Sequence, residues 1–197
     1  MRASSLLPAL RLAAVFGLIA GPVVYACHRQ NQTRHFRVVR DGVLYRSGQT
    51  TLAGLRRLVD DFGIRTIVSL RDSYVPGGTP PDAAEEEFCK GMDILYVRIS
   101  PRAWEAPDGP PPVEEGVKRF LEVMADRRNY PVLVHCCAGT HRTGAYCAIY
   151  RMEFEGWSNA RAIAEVKAEG YANFDVEPDI RHYLENYRPG RLLPRKK

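Results

Sequence analysis

Residues 135–144 read His-Cys-Cys-Ala-Gly-Thr-His-Arg-Thr-Gly, placing Cys136 and Arg142 with five residues between them, directly after the apolar run Val132-Leu133-Val134. A loop between a strand and a helix N-terminus turns successive backbone amides inward and adds partial positive charge, so an anion is welcome there. Gly139 permits a positive φ where the backbone must approach a ligand closely. Arg142 offers a planar fork to two phosphate oxygens, which a lysine would not. A cysteine in such a field is drawn toward its nucleophilic thiolate form, which makes Cys136 the candidate nucleophile. The cradle itself would comprise Cys137, Ala138, Gly139, Thr140, His141 and Arg142.

A thiolate facing a bound phosphate monoester attacks phosphorus in line and leaves a phosphocysteine for water to hydrolyse. That chemistry needs no metal and no cofactor, but an acid must protonate the leaving oxygen. Asp108 lies 28 residues before Cys136 in a Pro-rich loop, and a swing of that loop would carry it over the cradle. Its plainer reading is an Asp-Gly turn. Glu114 and Glu115 compete for the acid role, or serve as charges favouring the first turn of the next helix. Thr143 is placed to hydrogen-bond the thiolate and assist its departure, and His135 to order the loop rather than act as a base. His141 either meets substrate or is solvated. Cys137 either pairs with Cys136 or Cys147 under oxidants or is a small residue whose amide matters more than its thiol. Cys89 and Cys147 read as core residues.

The elements around the loop alternate. Val43-Leu44-Tyr45-Arg46 is a short strand after the Asp41-Gly42 turn, and Leu52, Leu55, Leu58, Val59 and Phe62 recur at helical spacing before Gly63. Thr66 to Leu70 is a buried strand, Pro81 to Gly91 a helix and Ile94 to Ile99 a third strand. From Ser100 to Pro112, five of thirteen residues are Pro, which excludes regular structure. Helical periodicity resumes over Val113 to Arg127. Pro131 to Cys136 supplies the strand before the loop, and Arg142 to Phe154, Ser158 to Ala168 and Pro178 to Tyr187 form a closing helical cluster. Strands joined through helices imply an α/β fold, with a central, mostly parallel sheet of four to five strands flanked by helices.

At 197 residues the chain fits one domain with a short extension. Its net charge of +5 is unevenly spread: residues 1–40 carry six Arg and no acidic residue, the last seven carry four basic residues, and the body 41–190 is net acidic by five. A nucleic-acid partner is therefore disfavoured, since its footprint would lie on the fold itself. The five cysteines show no CxxC pair or metal spacing and suit a reduced compartment. Leu12 to Ala26 is charge-free between basic flanks, so residues 1–27 are expected to anchor the chain in a membrane. The heavier positive charge after that segment would keep the body cytoplasmic. A cleaved signal, with export, is the alternative. Residues 28–40 then read as a basic linker, 41–189 as the catalytic domain and 190–197 as a basic tail.

His135-Cys136-x5-Arg142-Thr143-Gly144 is similar to the signature loop of cysteine-dependent protein tyrosine and dual-specificity phosphatases. Val43 to Ser47, Gly63 to Arg71, Arg128 to Cys136 and Glu155-Gly156-Trp157-Ser158 resemble the plant-and-fungi-type atypical dual-specificity branch, over about residues 43–187. The resemblance implies that family's sheet-and-helix fold and metal-independent phosphomonoester hydrolysis through Cys136 and Arg142. Substrates would be phosphorylated proteins or small phosphorylated molecules, with an inositol phosphate or phosphoinositide phosphatase as the alternative to a protein tyrosine or dual-specificity phosphatase. Thr140 stands where that branch usually has Lys, which disfavours densely phosphorylated substrates unless Arg46, Arg71, Arg98 and Arg102 line the mouth. Two other readings are a non-catalytic phosphate-binding module, against which the retained Cys136 and Arg142 speak, and a rhodanese-type sulfurtransferase, which would not explain Arg142.

Overall fold

The computed structural model describes residues 11, 14–18, 20–22, 24 and 32–193. Five strands form one sheet: β1 (Arg37–Arg40), β2 (Leu44–Ser47), β3 (Thr66–Ser69), β4 (Leu95–Arg98) and β5 (Val132–His135). They lie in the order β1-β2-β5-β3-β4, with β1 antiparallel to β2 and every other neighbouring pair parallel. β5 is thus central, and its alternation sorts the core. Leu133 faces Tyr45, Leu55, Leu58 and Ile67 on one side. Val132 and Val134 face Val117, Phe120, Ile149 and Leu184 on the other.

The helices are α1 (Leu52–Phe62), α2 (Ala83–Gly91), α3 (Val113–Ala125), α4 (His141–Glu155), α5 (Asn159–Ala168) and α6 (Pro178–Asn186). α1 is bounded as its sequence demands. The Thr51 hydroxyl accepts the Gly54 N–H at 3.0 Å, and Gly63 closes the helix at φ 63°. α4 is buried without a break from Thr143 to Tyr150, so this stretch lacks the one-sided apolar stripe of a surface helix. Cys89 and Cys147 are core residues, and burial pushes their thiols up to about 12 and about 11.

Two expectations need correction. The basic linker over 28–40 contains β1, which pairs Arg37 with Arg46 and Val38 with Tyr45. Its Arg-Val-Val-Arg sequence carries the charges that protect an edge strand, and those charges imitate a linker in sequence. Phe36 stacks on Tyr45 with ring centroids 5.9 Å apart and lies 4.8 Å from Phe62, so the fold begins well before Val43. The membrane anchor over 1–27, most of which lies outside the described residues, and the transmembrane helix are also overturned, which removes the ground for the cytoplasmic placement drawn from them. No helix among the described residues is long and apolar enough to cross a membrane. The charge-free run is only 15 residues against the roughly 20 a span requires. The alternative of a cleaved signal rests on the same segment, whose end at residues 25–27 lies outside the described residues.

Asp82, immediately before α2, fastens the sheet edge. Its carboxylate accepts from the Ser69 hydroxyl of β3, from Tyr96 Oη of β4 at 2.7 Å and from the Arg98 guanidinium of β4. Burial raises its pKa, but these three donors together outweigh it and hold the carboxyl below the ordinary value of 3.8. Removing it leaves the Ser69 and Tyr96 hydroxyls without their acceptor and deprives Arg98 of one of its two carboxylate partners, so Asp82→Ala is expected to cost about 3 kcal/mol in urea unfolding. Because the folded value lies below the unfolded one, the contribution is present above the ordinary carboxylate range and is lost as pH falls through the folded value. Wild-type stability should therefore fall more steeply than that of Asp82→Asn between about pH 5 and pH 2.

Candidate active site

The C-terminal ends of β2, β5 and β3 converge in register, with Ser47 and Ser69 on either side of His135. His135 Nε2 lies 2.6 Å from Glu85 Oε1 of α2, and both side chains are buried. Glu85 Oε2 accepts from Gln49 Nε2 at 2.6 Å, and Gln49 Oε1 accepts from Arg71 Nη1 at 2.6 Å. A chain of polar contacts thus runs from the residue before Cys136 across the ends of three strands.

Cys136 follows β5 at 2% exposure, and its Sγ accepts the Gly139 N–H at 3.3 Å. Gly139 has φ 83°, and a Cβ there would sit 2.4 Å from the Gly48 nitrogen. Only glycine fits both the conformation and the space. Three successive loop carbonyls are held away from Cys136. Cys137 O accepts the Gln49 N–H at 3.0 Å, Ala138 O accepts from His35 Nδ1 at 2.7 Å and Gly139 O accepts from Arg46 Nη2 at 2.8 Å. Since N–H and C=O point oppositely across a trans peptide, the amides of Ala138, Gly139 and Thr140 face inward. That is the backbone direction an anion-binding loop requires.

Arg142, in the first turn of α4, donates from Nη1 to Leu70 O at 2.5 Å, which anchors one side of its fork at the end of β3. Thr143 is fully buried, and its Oγ1 has no hydrogen-bond partner among the described residues; the same holds for Ser47 Oγ. Cys137 is exposed. His141 is neither free nor simply solvated. Its Nε2 pairs with Glu177, which also accepts from Tyr171 Oη at 2.5 Å, and the His141 and Tyr171 rings lie 4.6 Å apart. Burial raises the Glu177 pKa, but the hydrogen bonds from Tyr171 and His141 bring it below the ordinary value of 4.5.

The structure does not bring Asp108 to the cradle. It is exposed beside Gly109, which has φ 80°, and no hydrogen bond or ion pair joins it to the loop. The loop is pinned instead by Trp104, 6% exposed, whose ring lies 6.0 Å from Tyr146 and 5.2 Å from Tyr183. Of the competing acids, Glu114 is engaged by both terminal nitrogens of Arg191, and Glu115 is exposed. Asp72 accepts from the Ser100 hydroxyl and from its neighbour's N–H, and these bonds hold its carboxyl below the usual range.

Three of the four arginines expected at the mouth are committed elsewhere. Arg46 holds Gly139 O, Arg71 holds Gln49, and Arg98 is shared by Asp82, Glu86 and the Arg71 carbonyl, leaving Arg102 exposed. Sequence reasoning also missed His35, Gln49, Glu85 and Glu177. For Glu85 a signal existed: the run Glu85-Glu86-Glu87 reads as a solvated face, yet Glu85 stands four residues before buried Cys89 on the same side of α2. His35 has no such signal, because it sits in a basic stretch with no periodicity.

The chain is similar to several known proteins. Tyrosine-protein phosphatase-like protein OCA2 of Saccharomyces cerevisiae is 29% identical over 123 residues, covering 62% of this chain and 58% of the relative. The chain spans less than two thirds of the length of these curated relatives, OCA2 and two fungal proteins named as putative tyrosine-protein phosphatase OCA1. The catalytic core of the PP-IP phosphatase SIW14 of S. cerevisiae superposes with a TM-score of 0.62 at 20% identity, over 81% of this chain and 89% of that one. TpbA of Pseudomonas aeruginosa superposes with a TM-score of 0.61 at 22% identity, over 81% and 88%. The family model described as "DSP-PTPase phosphatase fused to NAD+ Kinase" matches residues 22–180, a stretch holding the whole sheet and the loop from Cys136 to Arg142, and the chain belongs to that family of DSP-PTPase phosphatases.

Proposed function

We propose that this protein hydrolyses phosphate monoesters through a phosphocysteine on Cys136, with phosphotyrosine and other phosphoprotein groups as its leading substrates. The observation that carries the reading is the Cys136 sulfur at the base of a loop whose carbonyls are tied outward, with Gly139 N–H at 3.3 Å. In the first step the Cys136 thiolate forms an S–P bond as the ester P–O bond breaks. The backbone amides of residues 137–142 and the Arg142 fork bind the non-bridging oxygens throughout and follow the charge as it develops. The leaving oxygen takes a proton from Asp108, which requires the 100–112 loop to move its exposed tip over the cradle. Water then attacks phosphorus, gives its proton to the Asp108 carboxylate, and releases phosphate and the thiolate. The unpartnered Thr143 hydroxyl would donate to the departing sulfur, and His135, fixed by Glu85, would hold the start of the loop.

A second reading, hydrolysis of a densely phosphorylated inositol, is favoured by the likeness to a PP-IP phosphatase. The internal engagement of Arg46, Arg71 and Arg98, together with Thr140, weighs against it, because little free positive charge is left for additional phosphates.

The full chain, assayed with para-nitrophenyl phosphate in the presence of a chelator, is expected to turn over, and Cys136→Ser to abolish turnover. Asp108→Asn should lower kcat by roughly a hundredfold or more for a substrate with a poor leaving group, such as a phosphoseryl peptide. No turnover by the wild type sinks the enzyme reading; an unchanged kcat in Asp108→Asn sinks only the acid assignment. A panel of phosphotyrosyl peptides and phosphorylated inositols, ranked by kcat/KM, separates the two substrate readings.

A further inference from the structure

We propose that His35 is a positioning residue for the phosphate loop, gripping the outer end of the one peptide unit whose inner end points at Cys136. This rests on the phosphatase reading and deepens it. The Ala138-Gly139 peptide has two polar ends: its carbonyl accepts from His35 Nδ1 at 2.7 Å, and its N–H donates to Cys136 Sγ at 3.3 Å. In a planar trans peptide these ends are rigidly opposed, so whatever fixes the carbonyl fixes the direction of the amide. The neighbouring peptides are fixed from elements already in the sheet region, by the Gln49 N–H and by Arg46. The central one depends on a side chain that precedes β1 by two residues.

The segment carrying His35 is built to hold that side chain in place. Arg34 O accepts the Gly48 N–H at 2.7 Å, and Gln32 O accepts the Thr51 N–H at 3.1 Å. A Cβ at Gly54 would fall 2.1 Å from Gln32 O, so α1 leaves room for this backbone to pass. Phe36, the next residue, is locked between Tyr45 and Phe62. His35 itself sits at φ 49°, in the left-handed region. Asparagine tolerates that conformation better than most residues and carries an N–H donor. Glycine accepts the conformation without strain but has no donor. These two substitutions therefore separate backbone tolerance from the hydrogen bond.

The experiment uses the full chain with His35→Gly and His35→Asn, and reads three quantities: kcat/KM for para-nitrophenyl phosphate, the dissociation constant of tungstate as a tetrahedral oxyanion, and the thermal midpoint. His35→Gly is expected to lose about 3- to 10-fold in kcat/KM and to weaken tungstate binding by a similar factor, the value of one hydrogen bond. The contact is exposed, so the thermal midpoint should barely move. His35→Asn should recover most of both losses. A His35→Gly variant within twofold of wild type in both measurements overturns the assignment. So does a His35→Asn variant as impaired as His35→Gly, because the donor would then not be the cause. Loss of activity that tracks only a lowered thermal midpoint assigns His35 to stability and likewise overturns it. A wild type that neither turns over nor binds tungstate removes the phosphatase reading, and this inference with it.

Discussion

A backbone can offer its amides to a single point only if the carbonyl at the other end of each peptide finds a donor on the far side. Residues 137–139 meet that constraint with three donors of different kinds: a main-chain N–H from Gln49, a ring nitrogen from His35 and a buried guanidinium from Arg46. All three come from one stretch of chain, roughly residues 35–49, wrapped against the loop from the side of β2. The loop is therefore shaped by what lies outside it. Gly48 and Gly139 register how close the two segments come, since a Cβ on either would enter the other's backbone.

The strand order makes this possible. With β5 central, its C-terminal end is flanked by the ends of β2 and β3, and each neighbour contributes to one side of the site. β2 leads into the donors that turn the loop carbonyls outward. β3 leads into Leu70, whose carbonyl holds Arg142, and into Arg71, which reaches Gln49. α2 closes the arrangement from below: Glu85 meets His135, while Asp82 binds β3 and β4 together. Ligand sites outside the carboxyl ends of parallel strands follow the general rule for open α/β sheets, and here the antiparallel edge strand β1 extends that scaffold on the side that bears His35.

The same economy shapes the electrostatics. Arginines near the site are used to build it: Arg46 and Arg71 hold the loop and its supports, and Arg98 neutralises the buried Asp82 carboxylate. The charge left facing a ligand comes from Arg142, the inward amides and the N-terminus of α4. The Pro-rich loop is fastened differently, by Trp104 against aromatic rings of α4 and α6, which leaves its tip with Asp108 and Gly109 exposed. An anchored base with an exposed tip suits a group that must approach the cradle only when something occupies it.

Much of this was legible from residue order. The Cys136 to Arg142 spacing, the apolar strand before it, the helix after it and the alternation of the remaining elements depend on local chemistry, which periodicity and turn residues record directly. α1 is an example, since its helical spacing of apolar residues and the Gly63 that closes it belong to the element itself. Residues 28–40 were misread because charge beside apolar residues looks alike in a linker and in an edge strand. Only partners distant in sequence decide among them. His35 meets Ala138 across 103 positions, and Glu85 meets His135 across 50. Sequence by itself determined which residues could bind an anion and attack it. Tertiary structure decided which way each peptide of the loop faces, because that direction is set by donors the chain brings in from elsewhere.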